Sequence, residues 1–168
     1  MPEKETLERA EEDKREGKSP STQAGEFVKE EMDHIREGKH GAATSKQAIA
    51  IGLSKARRAG VDLPPPKNGT TSAKTRKSAE SAYHAGHSSA RKKKPSAKRS
   101  QATENALKRQ PRKAASKQAL SRQAKQAANR RGSAARKQAA QKAVRTKGVA
   151  GRKRAAQKAA ATRQKKAA

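Results

Sequence analysis

The chain has no cysteine, no tryptophan, one phenylalanine and one tyrosine among 168 residues. Without cysteine there is no disulfide, no thiolate zinc site and no thiol nucleophile. Phe27 and Tyr83 alone cannot form a platform on which successive bases stack, so binding to single strands by stacking is not expected. No apolar run approaches the ~18 residues of a membrane span. The start, Met1-Pro2-Glu3-Lys4-Glu5, lacks the basic and apolar regions of a secretory signal. These absences lead us to expect a cytoplasmic protein.

What the chain has is positive charge, 43 Lys and Arg against 15 Asp and Glu, for a formal charge of +28. The charge is unevenly placed. Residues 1–40 carry a net −4, residues 41–66 a net +3, and residues 67–168 a net +29. Such asymmetry marks a basic arm directed at a polyanion. Large apolar residues are distributed in the opposite sense. Leu7, Phe27, Val28, Met32, Ile35, Ile49, Ile51, Leu53, Val61 and Leu63 precede residue 67; only Tyr83, Leu107, Leu120, Val144 and Val149 follow it. The core is therefore expected before residue 67. Burial of each such side chain contributes about 1.5–3 kcal/mol, a marginal total for so small a unit.

The fold class expected is all-α: a short helical hairpin module followed by a largely disordered, conditionally helical basic tail. Glu3 to Glu16 reads as an acidic helix stopped by Gly17, so residues 1–18 form the first segment. Ser19-Pro20 reads as an N-cap with proline in the first helical position, with Thr22 a competing cap. Ala24, Phe27, Val28, Met32 and Ile35 then share one helical face, and Gly38 and Gly41 end the helix. Thr44 and Gln47 have the spacing of a capping box for a second helix, which buries Ala48, Ile49, Gly52, Leu53 and Ala56 and stops at Gly60. Residues 19–63 thus form a hairpin with a turn of roughly eight residues, and Pro64-Pro65-Pro66 imposes an extended exit. Residues 64–100 read as a disordered Pro/Ser/Lys-rich linker. Residues 101–168 are built from strong helix formers without an apolar face. Helices over 101–109, 113–130, 133–147 and 150–166 are expected there only once phosphates relieve the like-charge repulsion.

Function follows from the tail. Cations that neutralise phosphates release condensed counterions, which gives strong, salt-sensitive and sequence-independent affinity. The residues assigned to this role are Arg91, Lys92, Lys93, Lys94, Lys98, Arg99, Lys108, Arg109, Arg112, Lys113, Lys117, Arg122, Lys125, Arg130, Arg131, Arg136, Lys137, Lys142, Arg145, Lys147, Arg152, Lys153, Arg154, Lys158, Arg163, Lys165 and Lys166. The expected partner is the phosphate backbone of double-stranded DNA, with compaction or protection of the nucleoid as the role. RNA or ribosome binding is the alternative, and another is a protein-interaction module or homodimer interface in residues 19–63 that the tail merely localises. A helix-turn-helix that reads bases through residues 45–59 is disfavoured by the long turn and by the acidic residues 19–40.

Other chemistry is not expected: no enzyme activity, no cofactor, no metal, no small-molecule substrate and no membrane partner. His84 and His87 have ligand-like spacing but no third ligand nearby, and read as exposed side chains that gain charge below about pH 6.5. Glu26, Glu30, Glu31, Asp33 and Glu37 recur along one helix and read as a solvated face. The acidic residues 3–37 either form ordinary helix surface or lie against the tail in cis.

Two resemblances add to this reading. The strings Ser19-Pro20-Ser21-Thr22-Gln23-Ala24-Gly25-Glu26-Phe27-Val28, Ile35-Arg36-Glu37-Gly38-Lys39-His40-Gly41 and Ser45-Lys46-Gln47-Ala48-Ile49-Ala50-Ile51-Gly52-Leu53-Ser54-Lys55-Ala56-Arg57-Arg58-Ala59-Gly60 resemble a small bacterial domain family of unknown function, over less than a third of the chain. That resemblance implies a bacterial setting and carries no functional residues. In composition the tail resembles the C-terminal tails of linker histones and bacterial histone-like proteins, which implies DNA condensation.

Overall fold

A computed structural model of the chain describes residues 2–88 and 96–167, without the side chains of 147, 158 and 165–167. Every regular element in the described residues is helical: α1 (Lys4–Arg15), α2 (Pro20–Glu37), α3 (Ser45–Arg58), α4 (Ala73–His87), α5 (Ala97–Lys108), a 3₁₀ turn (Arg112–Ala115), α6 (Lys117–Arg130) and α7 (Gly132–Ala167). The all-α expectation holds. Two compact units are present, Met1–Gln123 and Ala124–Ala168.

In the first unit α2 is central. α1, α3 and the 3₁₀ turn pack on it, and α4 packs on α3. The expected hairpin forms with its expected stops. Ser19 sits at the N-cap of α2 with Pro20 at the first position, and Gly38 ends the helix in the left-handed region at φ 85°. The Thr44 hydroxyl accepts the Gln47 N–H at 3.2 Å, while the Gln47 side chain reaches back to accept the Ala43 N–H at 2.9 Å. The capping box therefore closes one residue further out than the usual reciprocal pair. Gly52 lets α3 approach α2 closely, because a Cβ there would lie 2.7 Å from Val28 Cα.

The core has two clusters. Phe27, Ala24, Ala56, Val61 and Ala10 form one, flanked by Leu7, Leu53 and Leu63, so α1 supplies a side of it. Met32, Ile35, Ala42, Ala48, Ala114 and Ala115 form the other, flanked by Val28, Ile49 and Leu120.

That second cluster corrects the expectation that the core ends before residue 67. Ala114 and Ala115 are buried beneath the α2–α3 loop. Alanine carries little hydropathy signal, yet its small side chain lets backbones meet. Gly41 and Ala42 donate their N–H groups to the carbonyls of Leu107 (3.0 Å) and Pro111 (3.3 Å). Ser45 Oγ donates to Ala114 O at 2.6 Å, and Arg36 Nε to Ala115 O at 3.2 Å.

The expected disorder of the tail is likewise not supported. α4 occupies the stretch read as a disordered linker and buries Ala79 and Ala82, with Gly86 seated against the Arg57 carbonyl. Tyr83 Oη donates to Asp62 Oδ1 at 2.6 Å. Beyond residue 100 the described chain is largely helical, in line with the high intrinsic helix propensity of Ala, Lys, Arg and Gln. Their bounds follow the four expected segments closely, and the left-handed Gly148 (φ 60°, ψ −174°) breaks α7 between the last two.

Candidate functional site

Two features carry chemistry: the exposed cations of the tail, and a buried charge cluster beneath α1.

The tail comes first. In the first unit Lys98, Arg99, Lys108, Arg109, Arg112, Lys113, Lys117 and Arg122 are exposed. In the second unit Lys125, Arg130, Arg131, Arg136, Lys137, Lys142, Arg145, Arg152, Lys153, Arg154 and Arg163 are exposed too. Lys108 pairs with Glu104 at 2.7 Å. Arg136 and Arg152 donate to the carbonyls of Gly132 and Gly148 on their own helix. Glu80 and Glu104 are the only carboxylates in residues 67–168, so most of this charge has no acid to meet within its own stretch of chain. Arg91, Lys92, Lys93 and Lys94, and the side chains of Lys147, Lys158, Lys165 and Lys166, lie outside what is described. α7 offers no apolar stripe, with Val144 and Val149 exposed among its cations. A helix that is polar all round has its cations ready for solvent or a partner.

The acids of residues 1–40 have partners within the first unit. Among the described residues their ion pairs close locally: Arg9 with Glu26, Lys18 with Asp13, Lys39 with Glu3, and Lys55 with Glu30 and Glu31.

The second feature was missed from the sequence. Glu30 and Glu31 of α2 are buried, at 4% and 0% exposure, and are not part of a solvated face. Lys55 of α3 places Nζ 3.2 Å from Glu30 Oε1 and 2.8 Å from Glu31 Oε2. Burial works against the charge on Lys55, but the two carboxylates outweigh it and raise its pKa. Burial also works to raise that of Glu30. The Thr6 hydroxyl, the Glu3 N–H and Lys55 hydrogen-bond its charged form and bring the value below normal. On the rim, Glu3 Oε1 accepts from His34 Nε2 at 2.8 Å and from Lys39 Nζ at 3.0 Å. His34 and Lys39 together hold the Glu3 carboxyl down at about 2. His40 completes the group, with Nε2 3.4 Å from Glu31 Oε1. The signal available in the sequence was the spacing Glu30, Glu31, His34, which falls on one helical face because the i+3 and i+4 positions are neighbours.

His84 and His87 are exposed, as expected. His87 stacks on Tyr83 with ring centroids 4.1 Å apart and donates Nδ1–H to the Tyr83 carbonyl at 2.9 Å.

Residues 14–67 match a family described as "Family of unknown function (DUF6496)". No curated protein and no solved structure matches the chain. The matched segment spans α2, α3 and the triple proline. It contains the buried cluster apart from Glu3 and Thr6, and none of the cations assigned to phosphate binding. It constitutes a small domain of uncharacterised function. Among the described residues no helix is long and apolar enough to cross a membrane.

Proposed function

We propose that this protein binds nucleic acid, and double-stranded DNA in particular, through the phosphate backbone and without sequence specificity. The observation that carries the reading is the net +29 of residues 67–168 together with the exposure of every assigned Lys and Arg whose side chain is described. Strong non-specific binding requires neutralisation of about 6–10 phosphates, and α7 alone offers cations for that number. At ~1.5 Å per residue, its sixteen residues before Gly148 run about 24 Å, long enough to follow several phosphates of one strand. Arg136, Lys137, Lys142, Arg145, Arg152, Lys153 and Arg154 point outward on helix with no competing carboxylate nearby in sequence. Readout of base edges is not part of the proposal, since no packed helix presents these side chains in a fixed fork. A nucleoid-associated role in compaction or protection is the cellular counterpart of this binding.

The test is a salt titration of duplex DNA affinity by the full chain, with duplex RNA in parallel. The expected result is a linear fall of log K with log salt, with a steeper and tighter DNA curve. Changing the seven α7 cations named above to Gln preserves helix propensity and should flatten the slope by about 0.9 for each phosphate no longer neutralised. An unchanged slope would remove the tail from the binding surface. Tighter binding to duplex RNA would transfer the assignment to RNA.

A further inference from the structure

We propose that Glu31, His34 and His40 form a binding site for a divalent transition-metal cation of the zinc class. Each offers one ligand atom, and the three atoms lie within 4.8 Å of one another. Two imidazoles and one carboxylate are a donor set suited to zinc, with a fourth position left for water.

The details favour a metal over a simple hydrogen-bonded cluster. Glu31 is fully buried, and neither of its carboxylate oxygens receives a hydrogen bond. A buried carboxylate oxygen without a donor is costly, and it calls for a cation. Lys55 lies beside Oε2 as an ion-pair partner, and Oε1 faces His40. The 3.4 Å between Glu31 Oε1 and His40 Nε2 is longer than an ordinary N–H···O bond of about 2.7–3.2 Å. It equals the edge of a tetrahedron whose metal–ligand bonds are roughly 2.0–2.1 Å, which is about 3.4 Å.

The histidines are also set for coordination. His40 donates Nδ1–H to the Gly41 carbonyl at 3.2 Å, which leaves Nε2 as the lone-pair nitrogen toward Glu31. His34 donates Nε2–H to Glu3 Oε1 at 2.8 Å, which leaves Nδ1 with the lone pair. Metal-binding imidazoles characteristically donate their second nitrogen to a carbonyl or a carboxylate in this way. The two rings stand edge to face, their centroids 6.2 Å apart. The charged groups around them are Glu3 of the N-terminal segment, Glu30 of α2, Lys39 of the loop and Lys55 of α3. Their carboxylates, with Glu31, outnumber the two lysines by one.

The test is equilibrium dialysis of the chelator-stripped full chain against zinc alone, paired with thermal melting in zinc and in magnesium. The expected result is one zinc per chain and a melting temperature raised by zinc but not by magnesium. His34→Ala/His40→Ala should abolish the site, while His84→Ala/His87→Ala leaves it intact. Glu3→Gln alters only the outer support of His34, at the exposed rim, and should weaken zinc by about 10- to 100-fold with helicity unchanged. The proposal is overturned if the stripped chain takes up no stoichiometric zinc. It is equally overturned if the His34/His40 variant binds as the wild type does, or if Glu3→Gln leaves the affinity unchanged.

Discussion

Ser45 gives its hydroxyl proton to the Ala114 carbonyl at 2.6 Å, which joins the first residue of α3 to a position 69 residues further along the chain. Around that bond, Gly41, Ala42 and Arg36 hold the same returning segment through its carbonyls. The segment from Leu107 to Ala115 is therefore fastened through its main-chain carbonyls to the loop end of the hairpin.

Gly41→Ala should break that fastening. A Cβ on Gly41 would overlap the Gln110 carbonyl, and backbone is the least able to move aside. The expected loss is about 1–3 kcal/mol, as for other overpacked sites, read as a lower melting temperature. Gly25→Ala provides the opposite sign on the same helix hairpin. Nothing lies within 4 Å of its Cβ position in the middle of α2, so the better helix former should stabilise by about 0.5–1 kcal/mol.

Lys55→Met should leave Glu30 and Glu31 buried without their ammonium partner. Loss of one member of a buried pair costs about 3–5 kcal/mol, and because Lys55 keeps 23% exposure the lower end is expected. Adding Glu31→Met to this variant should restore part of the loss, since one of the two uncompensated charges is then gone and Glu30 remains. Chemical denaturation of the two variants measures the difference.

Acid should loosen the contact between the N-terminus and α2. Glu3 has an ordinary value of 4.5 and is held at about 2 in the fold by His34 and Lys39. A depressed carboxyl favours the folded state when ionised, so its contribution is complete above the unfolded value and disappears as pH falls from 4.5 toward 2. Glu30, also lowered, acts in the same direction. Thermal melts across that window should fall more steeply for the wild type than for Glu3→Gln, which has no proton to take up at this position.

Gly86→Ala should release α4 from α3. Its Cβ would overlap the Arg57 carbonyl, and the neighbouring Tyr83–Asp62 bond depends on the same approach. The expected readout is faster amide exchange over α4 while α2 and α3 keep their protection.

Legibility in the sequence followed the size of the side chains. The face of Phe27, Met32 and Ile35 announces α2, and the glycines at 38 and 60 and the Thr44 cap mark the ends of the hairpin. The docking of residues 107–115 is silent in hydropathy because it uses Ala114, Ala115, Gly41 and main-chain carbonyls. α4 was hidden for the same reason, held by Ala79, Ala82 and Gly86. The buried cluster eluded sequence reading because five acids along one helix look like solvent-facing charge. Burial beside Lys55 of α3 distinguishes Glu30 and Glu31 from Glu26, which is half-exposed and pairs with Arg9, and from the exposed Glu37. The phosphate-binding assignment needed no fold at all, since charge and its distribution along the chain carry it.

Because the chain leaves the hairpin at Pro64 and is tied back to it from Leu107 to Ala115, α4 and α5 sit within a stretch anchored at both ends. A single protease cut between those two helices would not part the molecule. The fragments would remain together as a nicked, non-covalent complex, and two separately made pieces divided at that point should reassociate into one particle that still carries the whole of its positive charge.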